Sequence, residues 1–145
     1  MSTTRIARIF LAAAAIGIGA CAQQVQDMEA GQQVRLWGSN EVPPAGTQAY
    51  GTGVVYVMPD RSVSVTLSVV DMVPAAAHIH EGAAGTNGPV IVPLVKISEN
   101  AFVAPDGAKL TEAQYTAYKA GNLYVNVHSA KYPGGEVRAQ LAGRP

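Results

Sequence analysis

With 145 residues, 48% of them hydrophobic and only 14% charged, the chain is too apolar to be disordered and long enough to bury one real core. Its ten basic and ten acidic residues are scattered rather than clustered, which excludes a nucleic-acid-binding surface. A single cysteine excludes an intramolecular disulfide, so packing must supply the stability.

Residues 1–20 read as a signal peptide. Arg5 and Arg8 form a short basic start, and residues 9–20 form an uncharged apolar run. Those 12 residues are too few to span a bilayer as a helix but suit the core of an export signal. The run ends Ile18-Gly19-Ala20-Cys21, and Cys21 is the only cysteine in the chain. This resembles a bacterial lipobox, in which cleavage precedes the cysteine and its thiol carries lipid. Ile18 stands where leucine is more usual. The alternative is an ordinary secretory signal cut near Ala20 or Ala22. Either way the expectation is an exported protein, and with lipid on Cys21 it is anchored to the membrane facing the periplasm or the cell exterior. Loss of residues 1–20 leaves eight basic and ten acidic residues.

Residues 21–33 are polar, rich in glutamine and without a period, which suits a lipidated tether. The domain is expected over 34–145, opening at Val34-Arg35-Leu36-Trp37. Asn40-Glu41-Val42-Pro43-Pro44 breaks any strand, because proline cannot donate to a ladder. Residues 51–58 and 62–69 form an expected antiparallel hairpin around Pro59-Asp60. In its second strand Ser62, Ser64, Thr66 and Ser68 alternate with Val63, Val65, Leu67 and Val69, giving one wet face and one dry face.

Residues 75–81 form the next expected strand, with Ala77 and Ile79 toward the core and His78 and His80 outward. A glycine-rich loop follows, where Asn87-Gly88 suits a tight turn. Residues 90–97 form a strand interrupted by Pro93, hence an edge or a bulge. Residues 98–109 read as irregular. Thr111 to Ala120 is the one helical segment, capped by Thr111 and stopped by Gly121, though no acidic residue stands three positions after the cap. A last hairpin pairs 123–129 with 136–141. Val125, Val127, Val137, Ala139 and Leu141 form its core face; Tyr124, Asn126, His128, Glu136, Arg138 and Gln140 form a polar face expected to be wet. The pattern reads as an all-β fold, a Greek-key-like antiparallel β-sandwich of about seven strands with one short helix.

The chain contains three histidines. His78 and His80 are two apart in a strand, so they share a face with Cα atoms roughly 6.6 Å apart. Two imidazoles so placed can converge on one ion, and His128 on the other polar face is the third candidate ligand. Imidazole suits copper, zinc and nickel, and copper leads the affinity order, with zinc as the alternative. Glu81 and Glu136 could be ligands or could orient an imidazole by accepting its N–H. For Glu136 the plainer expectation is a pair with a nearby arginine, and for Arg138 a brace of the polar face through a carboxylate. Tyr124 could shield the site or mediate a homodimer. The four methionines are not clustered, so no methionine-rich copper motif is present.

Five segments in order then resemble the CHRD domain, named for chordin: Asn40-Glu41-Val42-Pro43-Pro44, Ala77-His78-Ile79-His80-Glu81-Gly82, Asn87-Gly88-Pro89-Val90, Leu123-Tyr124-Val125-Asn126-Val127-His128-Ser129, and the stretch from Pro133 to Leu141. Ala139 stands where that family more often has glycine. The resemblance implies an extracellular or exported module. A weaker similarity is to the ligand order of copper/zinc superoxide dismutases, in which His78, His80 and His128 would match copper ligands and Arg138 an arginine that guides an anionic substrate. No histidine lies between His80 and His128, so the two-metal site is excluded by count. No nucleophile with a base, no phosphate loop and no defensible carboxylate pair is present, leaving redox chemistry at copper as the one reaction class open. The function expected is extracytoplasmic copper handling through His78, His80 and His128. The alternative is a metal-free interaction module.

Overall fold

The computed structural model describes residues 31–144. The expected signal peptide, Cys21 and the tether as far as residue 30 lie outside the described residues. The described chain forms nine strands and one α-helix: β1 Gln32–Trp37, β2 Tyr50–Val57, β3 Val63–Val70, β4 Pro74–Glu81, β5 Val90–Pro93, β6 Val95–Lys96, β7 Ala101–Val103, α1 Glu112–Lys119, β8 Leu123–Ser129 and β9 Val137–Leu141. All pairings are antiparallel, in one sheet of order β5-β4-β8-β9-β1-β2-β3-β7-β6.

The two ends of that order are neighbours in sequence. β5 and β6 are separated only by Leu94, yet they form opposite edges of the sheet. The Leu94 N–H donates to the Ala77 carbonyl at 2.9 Å, and Lys96 Nζ donates to the Pro74 carbonyl at 2.7 Å. The sheet therefore curls until its edges meet, and its facing halves enclose the core like a nearly closed barrel. Pro93 sits where the chain leaves one edge for the other, a position that needs no ladder donor.

The period-two patterns account for what lies inside. β3 alternates buried and exposed at every residue, with Val63, Val65, Leu67 and Val69 inward. Val34 and Leu36, Ala77 and Ile79, Leu123, Val125 and Val127, and Val137, Ala139 and Leu141 join them in one cluster. The hairpin of β2 and β3 pairs in register from Tyr50 with Val70 to Val57 with Val63. Its turn is closed by Asp60, whose carboxylate accepts from the Ser62 N–H and hydroxyl.

The all-β fold with one helix matches the sequence reading, with nine strands in place of about seven. One addition is β7, inside the stretch read as irregular, where Phe102 is fully buried. Another arises because the 90–97 run breaks at Leu94 into two strands. The tight turn after β4 is also displaced. It falls at Ala84 and Gly85, with Gly85 at φ 77° and Thr86 N–H donating to Ala83 O. Gly88 is instead a point of close approach, where a Cβ would run into the Glu81 carbonyl.

The helix start is stronger than the sequence reading allowed. Gln114 N–H donates to Thr111 Oγ1 at 3.2 Å, and Thr111 N–H donates to Gln114 Oε1 at 2.8 Å. Glutamine completes a capping box as well as glutamate does. We expect Thr111→Ala to destabilise the domain by about 1 kcal/mol. Chemical denaturation checks this, and an unchanged midpoint would contradict the capping role.

Candidate metal centre

The site is built on the outer face of β4, β8 and β9. Because Ala77, Ile79, Val125 and Val127 point into the core, the residues between them point out. Pairing then brings these together: His78 lies opposite Asn126, His80 opposite Tyr124, and His128 opposite Ala76, one step along from His78. On the other side of β8, Asn126 lies opposite Arg138 and Tyr124 opposite Gln140.

All three histidines converge. The ring centroids are 4.8 Å apart for His78 and His128, 5.5 Å for His78 and His80, and 6.0 Å for His80 and His128. One ring nitrogen from each lies within 4.8 Å of the others, a group that could hold a metal ion. His78 Nδ1 is 3.0 Å from His128 Nε2, close to the roughly 3.3 Å separating two nitrogens on one tetrahedral ion with bonds of about 2.0 Å.

Two backbone carbonyls orient the rings. His80 Nδ1 is 2.9 Å from Gly88 O, and His128 Nδ1 is 3.0 Å from Pro133 O. A carbonyl only accepts, so both Nδ1 atoms carry a proton, and in the neutral ring each Nε2 keeps a lone pair. His80 Nε2 is buried and has no hydrogen-bond partner. An orphaned buried acceptor costs about 1–3 kcal/mol, and an ion would satisfy it. His128 Nε2 accepts from His78 Nδ1, and a shift of the His78 proton to its other nitrogen frees both atoms for a ligand. Burial, with repulsion from His128 and His80, pushes the His78 pKa down to about 4. Burial also lowers that of His128, against the opposing hydrogen bond to Pro133. These two rings are therefore neutral near pH 7, the form that binds metals.

The polar face expected to be wet is buried. Tyr124 is 2% exposed, Asn126 1%, Glu136 5%, Arg138 1% and His80 8%. The reason is a roof of two loops, residues 38–47 and 82–89, held down by the face itself. Arg138 donates to Thr86 O at 2.8 Å, Asn87 Oδ1 at 3.2 Å, Gln140 Oε1 at 3.3 Å and, at 3.5 Å, Ala83 O. Gln140 Nε2 donates to Gly82 O and Gly121 O. Asn87 Nδ2 donates to Val42 O, tying one loop to the other, and Asn40 Nδ2 donates to Arg138 O.

Tyr124 is the hinge of the arrangement. Its ring stacks on His80 at 4.7 Å and 5°, and the Arg138 guanidinium lies 3.4 Å from its centroid. Its hydroxyl accepts from the Gly88 N–H, while the Gly88 carbonyl holds His80. Tyr124 thus covers one face of the His80 ring.

Other expected residues fall elsewhere. Neither Glu81 nor Glu136 joins the histidine group. Glu136 accepts from Thr47 Oγ1 at 2.7 Å. The Arg138 side chain makes its hydrogen bonds to carbonyl and amide oxygens rather than to a carboxylate.

Glu41 was missed because it lies in a proline-broken loop, where a carboxylate reads as solvent-facing. It is 4% exposed. Burial pushes its pKa up to about 7, outweighing the Arg138 charge and the hydrogen bonds from Asn126 and the Val42 N–H. Gly135 is left without a side chain beside it, because a Cβ there would meet the Glu41 carboxyl and the Asn126 amide.

An antiparallel β domain with this histidine cluster and loop roof defines the class. The chain belongs to the CHRD domain family: the model of that family matches residues 32–141. No curated protein and no solved structure matches the chain.

Glu41 makes stability depend on pH. Between about 4.5 and 7 the unfolded chain releases a proton that the folded state keeps, so this group's contribution falls as pH rises and levels off above about 7. His78 and His128 titrate alike in Glu41→Gln and cancel in the difference. We expect the melting temperature of metal-free Glu41→Gln, relative to wild type, to climb between pH 4.5 and 7 and then plateau. A difference flat across that range would remove Glu41 as the cause.

Proposed function

We propose that this CHRD protein is an exported, lipid-anchored metal-binding protein that holds copper through His78, His80 and His128 and handles it outside the cytoplasm. One observation carries the reading: three histidines converge, two with their Nδ1 atoms tied to carbonyls, and His80 Nε2 is buried without a partner. Three imidazoles leave room for a further ligand and match copper or zinc, and copper leads by the order of divalent affinities. The anchor would be lipid on Cys21, at the end of the apolar leader.

A competing reading is a metal-free extracytoplasmic interaction module. The His78–His128 hydrogen bond favours it, since it satisfies two of the three rings without an ion. Metal titration separates the two. We expect the chain from residue 22 onward to bind Cu(II) or Zn(II) at one site, and His80→Ala and His128→Ala each to weaken binding by about a hundredfold or more, beyond the 10–100-fold typical of residues that only orient a ligand. Calorimetry or chelator competition gives the constants. Undiminished binding in both variants would sink the site.

A further inference from the structure

We infer that the centre is built for a monovalent ion: it holds Cu(I) in preference to Cu(II) and Zn(II), and the buried Arg138 charge sets part of that preference. The inference rests on the metal-binding reading above and adds the ion's charge to it.

The donors come first. The group contains three imidazoles and no thiolate or carboxylate among the described residues. Neutral donors leave the charge of a bound ion uncancelled. Imidazole accepts copper in either oxidation state and zinc as well, so donor type does not decide between them. The surrounding charge does.

Behind His80 that charge is positive. β8 lies between β4 and β9, so Tyr124 is flanked by His80 from one strand and Arg138 from the other. Guanidinium, phenol ring and imidazole form one column, with Arg138 at 3.4 Å and His80 at 4.7 Å from the Tyr124 ring. Arg138 is 1% exposed, so water screens it little. Its hydrogen bonds go to Thr86 O, Ala83 O, Asn87 Oδ1 and Gln140 Oε1, all neutral. The carboxyl whose charge reaches it belongs to Glu41; burial raises its pKa to about 7, so near neutral pH it offsets the Arg138 charge only in part.

A second positive charge added to the bound ion therefore meets a fixed one. The Arg138–Tyr124–His80 column is built from steps of 3.4 and 4.7 Å, and over roughly 10 Å at an effective dielectric of about 20 a unit charge disfavours another on the order of tenfold. A divalent ion bears that penalty twice and a monovalent ion once. The geometry also separates the two functions of Arg138, since its hydrogen bonds hold the roof while its charge acts through space.

The experiment measures the affinities of the chain for Cu(I), under a reductant, and for Cu(II) and Zn(II), each by chelator competition at pH 7.5. The expected result is a Cu(I) constant tighter than either divalent constant, and hence a bound copper couple more positive than the free aqueous one. Arg138→Gln lowers the Cu(I)-to-Cu(II) affinity ratio about tenfold, equivalent to about 59 mV for a one-electron couple. Arg138→Lys, which keeps the charge, retains the ratio. Glu41→Gln removes a negative charge and moves the ratio upward, so it decides the matter if Arg138→Gln fails to fold by circular dichroism. Wild type that prefers Cu(II), a folded Arg138→Gln with an unchanged ratio, or a ratio that falls in Glu41→Gln overturns the inference. A chain that binds copper in neither state fails at the metal-binding reading itself and overturns both.

Discussion

A guanidinium buried to 1% exposure must have its donors met, and meeting those of Arg138 organises one whole side of this domain. Four oxygens do so, three of them from the single loop between β4 and β5. That loop is thereby pressed onto the sheet. With it come the Gly88 carbonyl that aims His80 and the Gly88 N–H that fixes the Tyr124 hydroxyl. The same loop reaches the 38–47 segment through Asn87. Without the arginine, that loop would lose three of its ties to the sheet. The histidine geometry thus follows from a charge that belongs to a different strand.

This explains why β8 has no exposed side. Its inward residues pack in the barrel and its outward ones under the roof, so six of its seven positions are buried and only His128 is half-open. A strand with two interiors carries two kinds of information. Leu123, Val125 and Val127 specify register through the core, while Tyr124, Asn126 and His128 specify what the outer layer can hold. A slip of one residue would exchange the two sets and place polar groups in the core. The core therefore guards the alignment of the site.

Alternation made much of this legible in the sequence. The pattern of β3, the core assignment of Ala77 and Ile79, and the shared face of His78 and His80 all follow from period two. So does the placing of Tyr124, Asn126 and His128 on one face of β8. What alternation cannot report is which strands are neighbours. His128 meets His78 and His80 because β8 pairs with β4, a contact across about fifty residues that no local pattern encodes. Nor can it report the roof. A face of Tyr, Asn, Glu, Arg and Gln reads as wet, and only the loop hydrogen bonds turn it into an interior. Glu41 was illegible for the same reason. The orienting acceptors, Gly88 O and Pro133 O, are backbone atoms, and residue type says nothing about where a carbonyl points.

Burial also gives the centre a direction. His80 is buried and stacked against Tyr124, whereas His78 and His128 are half-open. An ion would arrive across His78 and His128 and meet the unpartnered His80 Nε2 at the floor. The first contact has to displace the His78–His128 hydrogen bond, since those nitrogens bond each other in its absence. The His80 ring is held by a carbonyl, a stacked ring and the roof. Of the two rim ligands, His128 is tied to the segment that leads into β9 through the Pro133 carbonyl. Among the described residues the His78 ring hydrogen-bonds His128 and no backbone carbonyl. His78 therefore has the fewest ties to the fold of the three rings, and an ion that bound here would enter on its side of the cluster rather than the side covered by Tyr124.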